Sequence, residues 1–183
     1  SYVGYNAGFS GGGGLINDEN TIFGADAGFS NTARAHVFVG YRTANAQSAI
    51  NSIGLTMVGA FAGEFGTGNG ESVFVGYKAG RNTNSSSNTF VGFLSGENNT
   101  GGGANSFFGY NSGNNNGTHT DNTYLGGGSG VFSNGNNNTC VGRSSGASGV
   151  GNSNVLLGYF AMQLANSGDE NVIIGSKANS STS

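Results

Sequence analysis

The chain has 183 residues, of which 37 are glycine and none is proline, and only 8% are charged, against about 25% in an ordinary soluble domain. Strong helix formers are scarce, so the composition excludes a helical bundle and a doubly wound α/β fold. The formal net charge of −3 argues against nucleic acid as a partner. Since no apolar run approaches the roughly 18 residues of a membrane span, we also expect no membrane insertion.

One repeating unit runs along the whole chain. In chain order its copies read SYVGYNAG, NTIFGADAG, HVFVGYRTA, LTMVGAFAG, SVFVGYKAG, NTFVGFLSG, NSFFGYNSG, NTYLGGGSG, NTCVGRSSG, NVLLGYFAM and NVIIGSKAN. We call the glycine that follows the apolar pair of each copy the anchor glycine. The anchor glycines are Gly4, Gly24, Gly40, Gly59, Gly76, Gly92, Gly109, Gly126, Gly142, Gly158 and Gly175.

The spacing of the anchor glycines predicts the fold. They lie 16 to 20 residues apart, which suits one coil of a β-solenoid and is too short for a helix pair or a propeller blade. We therefore predict an all-β protein, a parallel β-roll of about eleven coils that forms a single repeat domain over residues 1–183. We expect this rod to be a piece of a longer fibre.

Two apolar residues precede every anchor glycine and define two columns. The first apolar column is Tyr2, Ile22, Phe38, Met57, Phe74, Phe90, Phe107, Tyr124, Cys140, Leu156 and Ile173. The second apolar column is Val3, Phe23, Val39, Val58, Val75, Val91, Phe108, Leu125, Val141, Leu157 and Ile174. Successive side chains of a strand point to opposite faces, so the lumen of a straight coil shelters only one column.

The uncovered column predicts self-association. Burying each of its side chains gains about 1.5 to 3 kcal/mol before ordering costs, so we expect other copies of the chain to cover it, as a parallel homotrimer with a shared apolar seam. The alternative is a bend at the glycine that turns both columns into one wide lumen.

Small residues and asparagines define the rest of the unit. The anchor glycine and a glycine four residues later are expected to bracket a tight corner. We predict that the strand runs from the opening residue of the unit through the residue after the anchor glycine, and that the opening amides hydrogen-bond from coil to coil. These openers are Asn20, Asn88, Asn105, Asn122, Asn138, Asn154 and Asn171. Gly- and Asn-rich loops of 7 to 11 residues are expected on the solvent-exposed side of the solenoid.

No group of residues in the sequence forms a catalytic constellation, so we predict a protein that is not an enzyme and has no cofactor. His36 and His119 are interpreted as surface residues and Cys140 as a buried apolar residue. Carboxylates precede several strands, and we interpret them as solvated turn charges while leaving open occasional Ca²⁺ binding. They are Asp18 with Glu19, Glu71, Asp121, and Asp169 with Glu170.

A column of threonine and valine opens the apolar part of the strand. Its threonines are Thr21, Thr56, Thr89, Thr123 and Thr139. A flat Thr/Val array on a rigid rod resembles several solenoid antifreeze proteins, so ice binding is an alternative function. This column shares a face with the second apolar column, so packing between chains competes for it.

The unit N-T-Φ-Φ-G-Y-x-A/S-G, where Φ is apolar, resembles the Gly/Asn-rich fibre repeats of bacterial surface proteins and phage tail fibres. It is more distantly similar to the heads of trimeric autotransporter adhesins, although the period here is longer and the loops vary. The resemblance implies trimeric β-rolls, an extracellular location on a cell surface or virion fibre, and a surface polysaccharide or host receptor as partner.

We therefore predict a non-enzymatic fibre or adhesin segment, a rod whose many weak contacts add by avidity. The alternatives are an ice-binding solenoid that uses the threonine column, and a structural filament subunit.

Overall fold

The computed structural model describes residues 1–9, 19–30, 34–46, 53–68, 70–162 and 168–179. These residues contain no helix and eleven short strands, joined in chain order into one parallel sheet. The strands are β1 (Tyr2–Val3), β2 (Thr21–Phe23), β3 (Val37–Val39), β4 (Thr56–Val58), β5 (Val73–Val75), β6 (Thr89–Val91), β7 (Ser106–Phe108), β8 (Thr123–Leu125), β9 (Thr139–Val141), β10 (Val155–Leu157) and β11 (Val172–Ile174). The predicted all-β class and β-solenoid architecture are confirmed.

The strands pair in strict register, so that equivalent residues of successive copies lie side by side. Phe74 of β5 pairs with Phe90 of β6, and Val75 pairs with Val91. Each strand ends before the anchor glycine, and is therefore shorter than the predicted segment. At Gly126, for example, φ is +137°, which is outside the extended region and ends the strand.

The first apolar column fills the lumen. Its members from Ile22 to Leu156 are at most 1% exposed, whereas Tyr2 and Ile173 at the two ends are less covered. In the middle of the rod the rings of Phe90 and Phe107 stack with centroids 4.7 Å apart, close to the spacing of neighbouring strands. The register of the sheet thus builds a continuous stack of side chains as the core.

Close packing explains both glycines of the unit. A Cβ at the anchor Gly126 would lie 2.6 Å from the carbonyl oxygen of Gly142 in the next coil. A Cβ at Gly80, the later glycine of its copy, would lie 2.7 Å from the ring of Phe74 in the lumen. Both positions also have positive φ, so the predicted tight corner is confirmed.

The opening asparagines form a buried polar ladder beside the apolar core. Oδ1 of Asn88 accepts a hydrogen bond from the backbone N–H of Asn105, and Oδ1 of Asn138 accepts one from the backbone N–H of Asn154, each at 2.9 Å. A direct bond between amides also links Asn154 to Asn138. The predicted ladder therefore exists, although its main acceptor contacts run from side chain to backbone.

The interpretation of His36 as a surface residue is wrong. His36 takes the place of an opening asparagine and is 1% exposed. Its backbone N–H donates to Oδ1 of Asn20 at 2.9 Å, and its Nδ1 accepts a hydrogen bond from the backbone N–H of Leu55 at 3.2 Å. The imidazole therefore continues the ladder because a ring nitrogen substitutes for the amide oxygen.

Candidate functional site

The outward face of the sheet is an exposed surface with a regular pattern. The first and third residues of β2 to β11, together with Val3 of β1, point outward, so this outward face combines the Thr/Val column with the second apolar column. Phe23 is 56% exposed and Leu125 is 49% exposed, while Val91 in the middle of the rod is half-buried. The alternative in which both apolar columns share one lumen is therefore wrong.

The threonines singled out for ice binding come together on this outward face. Thr123 pairs directly with Thr139, whereas Thr89 pairs with Ser106 of β7 and with Val73 of β5. Thr21 and Thr123 are exposed and the other three threonines are half-buried. The column is regular in spacing and mixed in chemistry, because valines interrupt the hydroxyl-bearing residues.

Beyond the anchor glycines lies an aromatic ridge of five rings, Tyr41, Phe61, Tyr77, Phe93 and Tyr110. Phe61 is half-buried and the other four rings are exposed. Tyr77 and Phe93 stack with centroids 5.1 Å apart, and Phe93 and Tyr110 stack at 5.6 Å. Phe61 makes edge-on contacts with its neighbours at 5.4 and 5.8 Å. Sequence reasoning missed the ridge as a whole, and Phe61 lies one residue later in its copy than the other four rings.

A charged cluster lies next to the aromatic ridge. The carboxylate of Glu64 is fully buried between two guanidinium groups, with Arg42 Nη2 3.1 Å from Oε1 and Arg81 Nε 2.7 Å from Oε2. Arg81 also lies 4.8 Å from the ring centre of Phe65. The three residues belong to three successive coils, so the ion pairs link these coils. Removing one partner would leave an unpaired buried charge, which is strongly destabilising. Sequence reasoning missed the cluster because its three members do not share one position of the unit.

A shallow groove opens at the coils that contain β1, β2 and β3. Its volume is about 320 Å³. Within it, Asn6 Nδ2 donates to Oδ1 of Asp26 at 3.0 Å, and Asn45 Nδ2 donates to the backbone carbonyl of Asp26 at 3.0 Å. The residues that line the groove are Asn6, Asp26, Phe29, Tyr41, Arg42 and Asn45. It thus combines a carboxylate, a guanidinium, two amides and two aromatic rings.

Desolvation favours the neutral form of three buried groups, His36, Cys140 and Tyr124. Burial lowers the pKa of His36 to about 4 and raises the pKa of Cys140 to about 12. Cys140 is fully buried in the lumen, as interpreted from the sequence, and a neutral buried thiol is a poor nucleophile. Burial, the largest cause, also raises the pKa of Tyr124.

The carboxylates that precede strands occupy turns. Glu19, Glu71, Asp121 and Glu170 all have positive φ and directly precede the residue that opens a strand. Asp169 Oδ1 accepts a hydrogen bond from the backbone N–H of Asn152. Within the described ranges no three His, Cys, Asp or Glu side chains gather into a group that could hold a metal ion. Asp18 lies outside the described residues.

Comparison with known proteins gives no relative for this repeat. No family model matches the chain, and neither a curated protein nor a solved structure does. In the part of the chain that the structure describes, no helix is long and apolar enough to cross a membrane. The class that the fold defines is a parallel β-solenoid with one uncovered apolar sheet face.

Proposed function

We propose that this chain is a non-enzymatic, extracellular fibre or adhesin segment, a rigid rod that associates through its outward face as a homotrimer. The observation that carries the proposal is the second apolar column, which continues over all eleven strands on the exposed side of the sheet. A rod of this kind holds its loops away from a cell or virion surface, where a polysaccharide or host receptor is the partner.

The size of the outward face supports self-association. Eleven strands at a separation of about 4.8 Å extend over roughly 50 Å. With a width of about 10 Å the apolar stripe covers on the order of 500 Å², which is near the upper end for a soluble monomer. Covering the stripe along its length requires a partner of the same length, and a second copy of the rod provides one.

The composition of the outward face also favours a packed interface. Every strand residue that points outward from β2 to β11 is Thr, Ser, Val, Phe, Leu or Ile, and none is charged. Interface cores are depleted of charge in the same way. By contrast, the charged side chains Arg42, Glu64 and Arg81 lie beyond the anchor glycines. Threefold closure follows from the resemblance of the unit to trimeric fibre repeats, and it leaves no outward face uncovered.

A matched pair of lysine variants tests the role of this face. Val91→Lys places a charge in the middle of the second apolar column, and Thr118→Lys places the same charge on an exposed loop. We expect Val91→Lys to lower the molar mass measured by sedimentation equilibrium, because burying the ammonium at an interface is costly. Thr118→Lys should keep the mass of the unmodified chain. Equal masses for both variants would contradict the proposal.

Ice binding is a second candidate because the threonines repeat in register along one face of the sheet. Thr123 and Thr139 lie side by side on neighbouring strands of the outward face. Under the fibre proposal this face is covered, so the purified segment should leave ice growth unmodified. Thermal hysteresis that is lost in Thr123→Lys would favour the ice-binding function instead.

A structural filament is the third candidate, because the sheet grows by one parallel strand per coil in strict register. Further copies that stack end to end would continue the same pairing. Electron micrographs that show long end-to-end polymers of the segment, rather than discrete short rods, would favour this candidate over the trimer.

A further inference from the structure

The groove beside β1, β2 and β3 has the chemistry of a carbohydrate site. We propose that it binds a neutral hexose unit of a surface polysaccharide, which extends the proposed attachment function by giving it a site and a ligand class. The groove lies beyond the anchor glycines, where Asn6, Asp26 and Arg42 each stand two residues after the anchor glycine of their own coil. None of the residues that line the groove belongs to the Thr/Val column or the second apolar column, which form the outward face that the trimer would cover.

The polar wall of the groove presents a fixed acceptor. Asp26 Oδ1 already accepts a hydrogen bond from Asn6. The side-chain amide of Asn45 donates a hydrogen bond to the backbone carbonyl of Asp26. An ionised carboxylate has about four acceptor positions, so Asp26 has capacity for the hydroxyl protons of a ligand. Hydrogen bonds between hydroxyls and a carboxylate are among the stronger neutral-to-charged contacts, and a pair of neighbouring sugar hydroxyls provides two donors.

The aromatic wall provides a surface for the C–H face of a sugar. Tyr41 is 48% exposed and lines the groove together with the half-buried Phe29. On its other side Tyr41 contacts Phe61 edge-on at 5.4 Å. The preceding coil has Ala25 at the position that Tyr41 occupies in its own copy, so this coil contributes no large ring there. The electron-rich face of an aromatic ring attracts the weakly positive hydrogens of a pyranose.

The charge balance of the groove favours a neutral ligand. Its two charged side chains are Asp26 and Arg42, and they cancel. Arg42 is also paired with the buried Glu64 at 3.1 Å, which reduces its attraction for an anion. The volume of about 320 Å³ is at the small end of ligand sites and suits one sugar ring.

Saturation-transfer NMR with defined sugars tests the inference. The probes are the methyl glycosides of glucose, galactose, mannose and N-acetylglucosamine, with methyl glucuronide as the charged comparison. We expect transfer to at least one neutral glycoside and none to the glucuronide. Asp26→Asn and Tyr41→Ala should each weaken binding by about tenfold or more, as expected for the loss of a charged hydrogen bond or of the ring contact.

Tyr110→Ala is the matched control, because Tyr110 lies on the same aromatic ridge and does not line the groove. It should leave sugar binding unchanged, and circular dichroism should show that all three variants fold. The inference is overturned by absence of transfer to every neutral glycoside, or by binding that survives Asp26→Asn and Tyr41→Ala. A trimer that binds no sugar would overturn only this site, whereas a monomer that binds sugar at Asp26 would overturn only the trimeric rod.

Discussion

Oδ1 of Asn105 accepts a hydrogen bond from the backbone N–H of Asn122 at 2.9 Å, one coil further along the rod. The other end of the same amide donates to the backbone carbonyl of His119 at 2.9 Å. A single buried side chain therefore links the start of one strand, the start of the next and the loop between them. The asparagine column supplies the hydrogen bonds of the polar part of the interior, and the first apolar column forms its apolar part.

The ladder predicts a large effect of one buried amide on stability. Asn105→Ala leaves the backbone N–H of Asn122 and the carbonyl of His119 without this partner in a buried site. An unsatisfied buried polar group costs about 1 to 3 kcal/mol, so the free energy of unfolding should fall by at least that range. Urea unfolding followed by circular dichroism measures it.

The control for the ladder is Asn134→Ala, which removes an amide from an exposed loop position. Its effect should stay within about 0.5 kcal/mol, as for most surface substitutions. Equal destabilisation by the two variants would contradict the role assigned to the ladder, because loop and ladder amides would then contribute alike.

Two neighbouring glycines provide an internal test of the close backbone approach between anchor glycines of successive coils. In Gly126→Ala the new Cβ would lie 2.6 Å from the carbonyl of Gly142, in a backbone with φ of +137°. In Gly127→Ala the nearest atom is the carbonyl oxygen of Tyr110 at 3.9 Å, and the backbone has no positive φ. We expect the first variant to lower the thermal midpoint strongly and the second to change it little. A comparable shift for both would show that the close approach is not a constraint.

Much of the fold follows from the sequence because repetition makes each position visible eleven times. The anchor glycines, the two apolar columns and the asparagine column were all identifiable, and the structure confirms them as corner, core, outward face and ladder. What repetition cannot show is the side of the sheet that each column occupies. The lumen takes the larger side chains of the first column, such as Phe74 and Phe90, whereas the mostly smaller residues of the second column face outward.

Contacts between different positions of the unit could not be predicted. Glu64 and Arg81 each stand five residues after the anchor glycine of their copy, whereas Arg42 stands two residues after its own, so no single column of the repeat contains all three. The groove at Asp26 depends in the same way on three successive coils. His36 was misassigned because polarity was weighed above its position, which is the position of a ladder asparagine.

His36 predicts a specific dependence of stability on pH. Burial lowers its pKa from the ordinary value of 6.5 to about 4. Between pH 4 and pH 6.5, His36 is therefore protonated in the unfolded chain and neutral in the folded chain. The free energy of unfolding should therefore keep its full His36 contribution above pH 6.5 and decrease as pH falls towards 4. His36→Asn replaces the ring with the usual ladder residue. Its stability should decrease less than that of the unmodified chain over this window, and parallel curves would contradict the assignment.

The molar mass of the unmodified segment in solution tests the central claim most directly. If copies of the chain cover the second apolar column, sedimentation equilibrium at micromolar concentration should give three times the chain mass of 18.3 kDa. A mass of one chain that persists across the concentration range would show that the outward face stays in contact with water, and the proposed trimeric rod would be wrong.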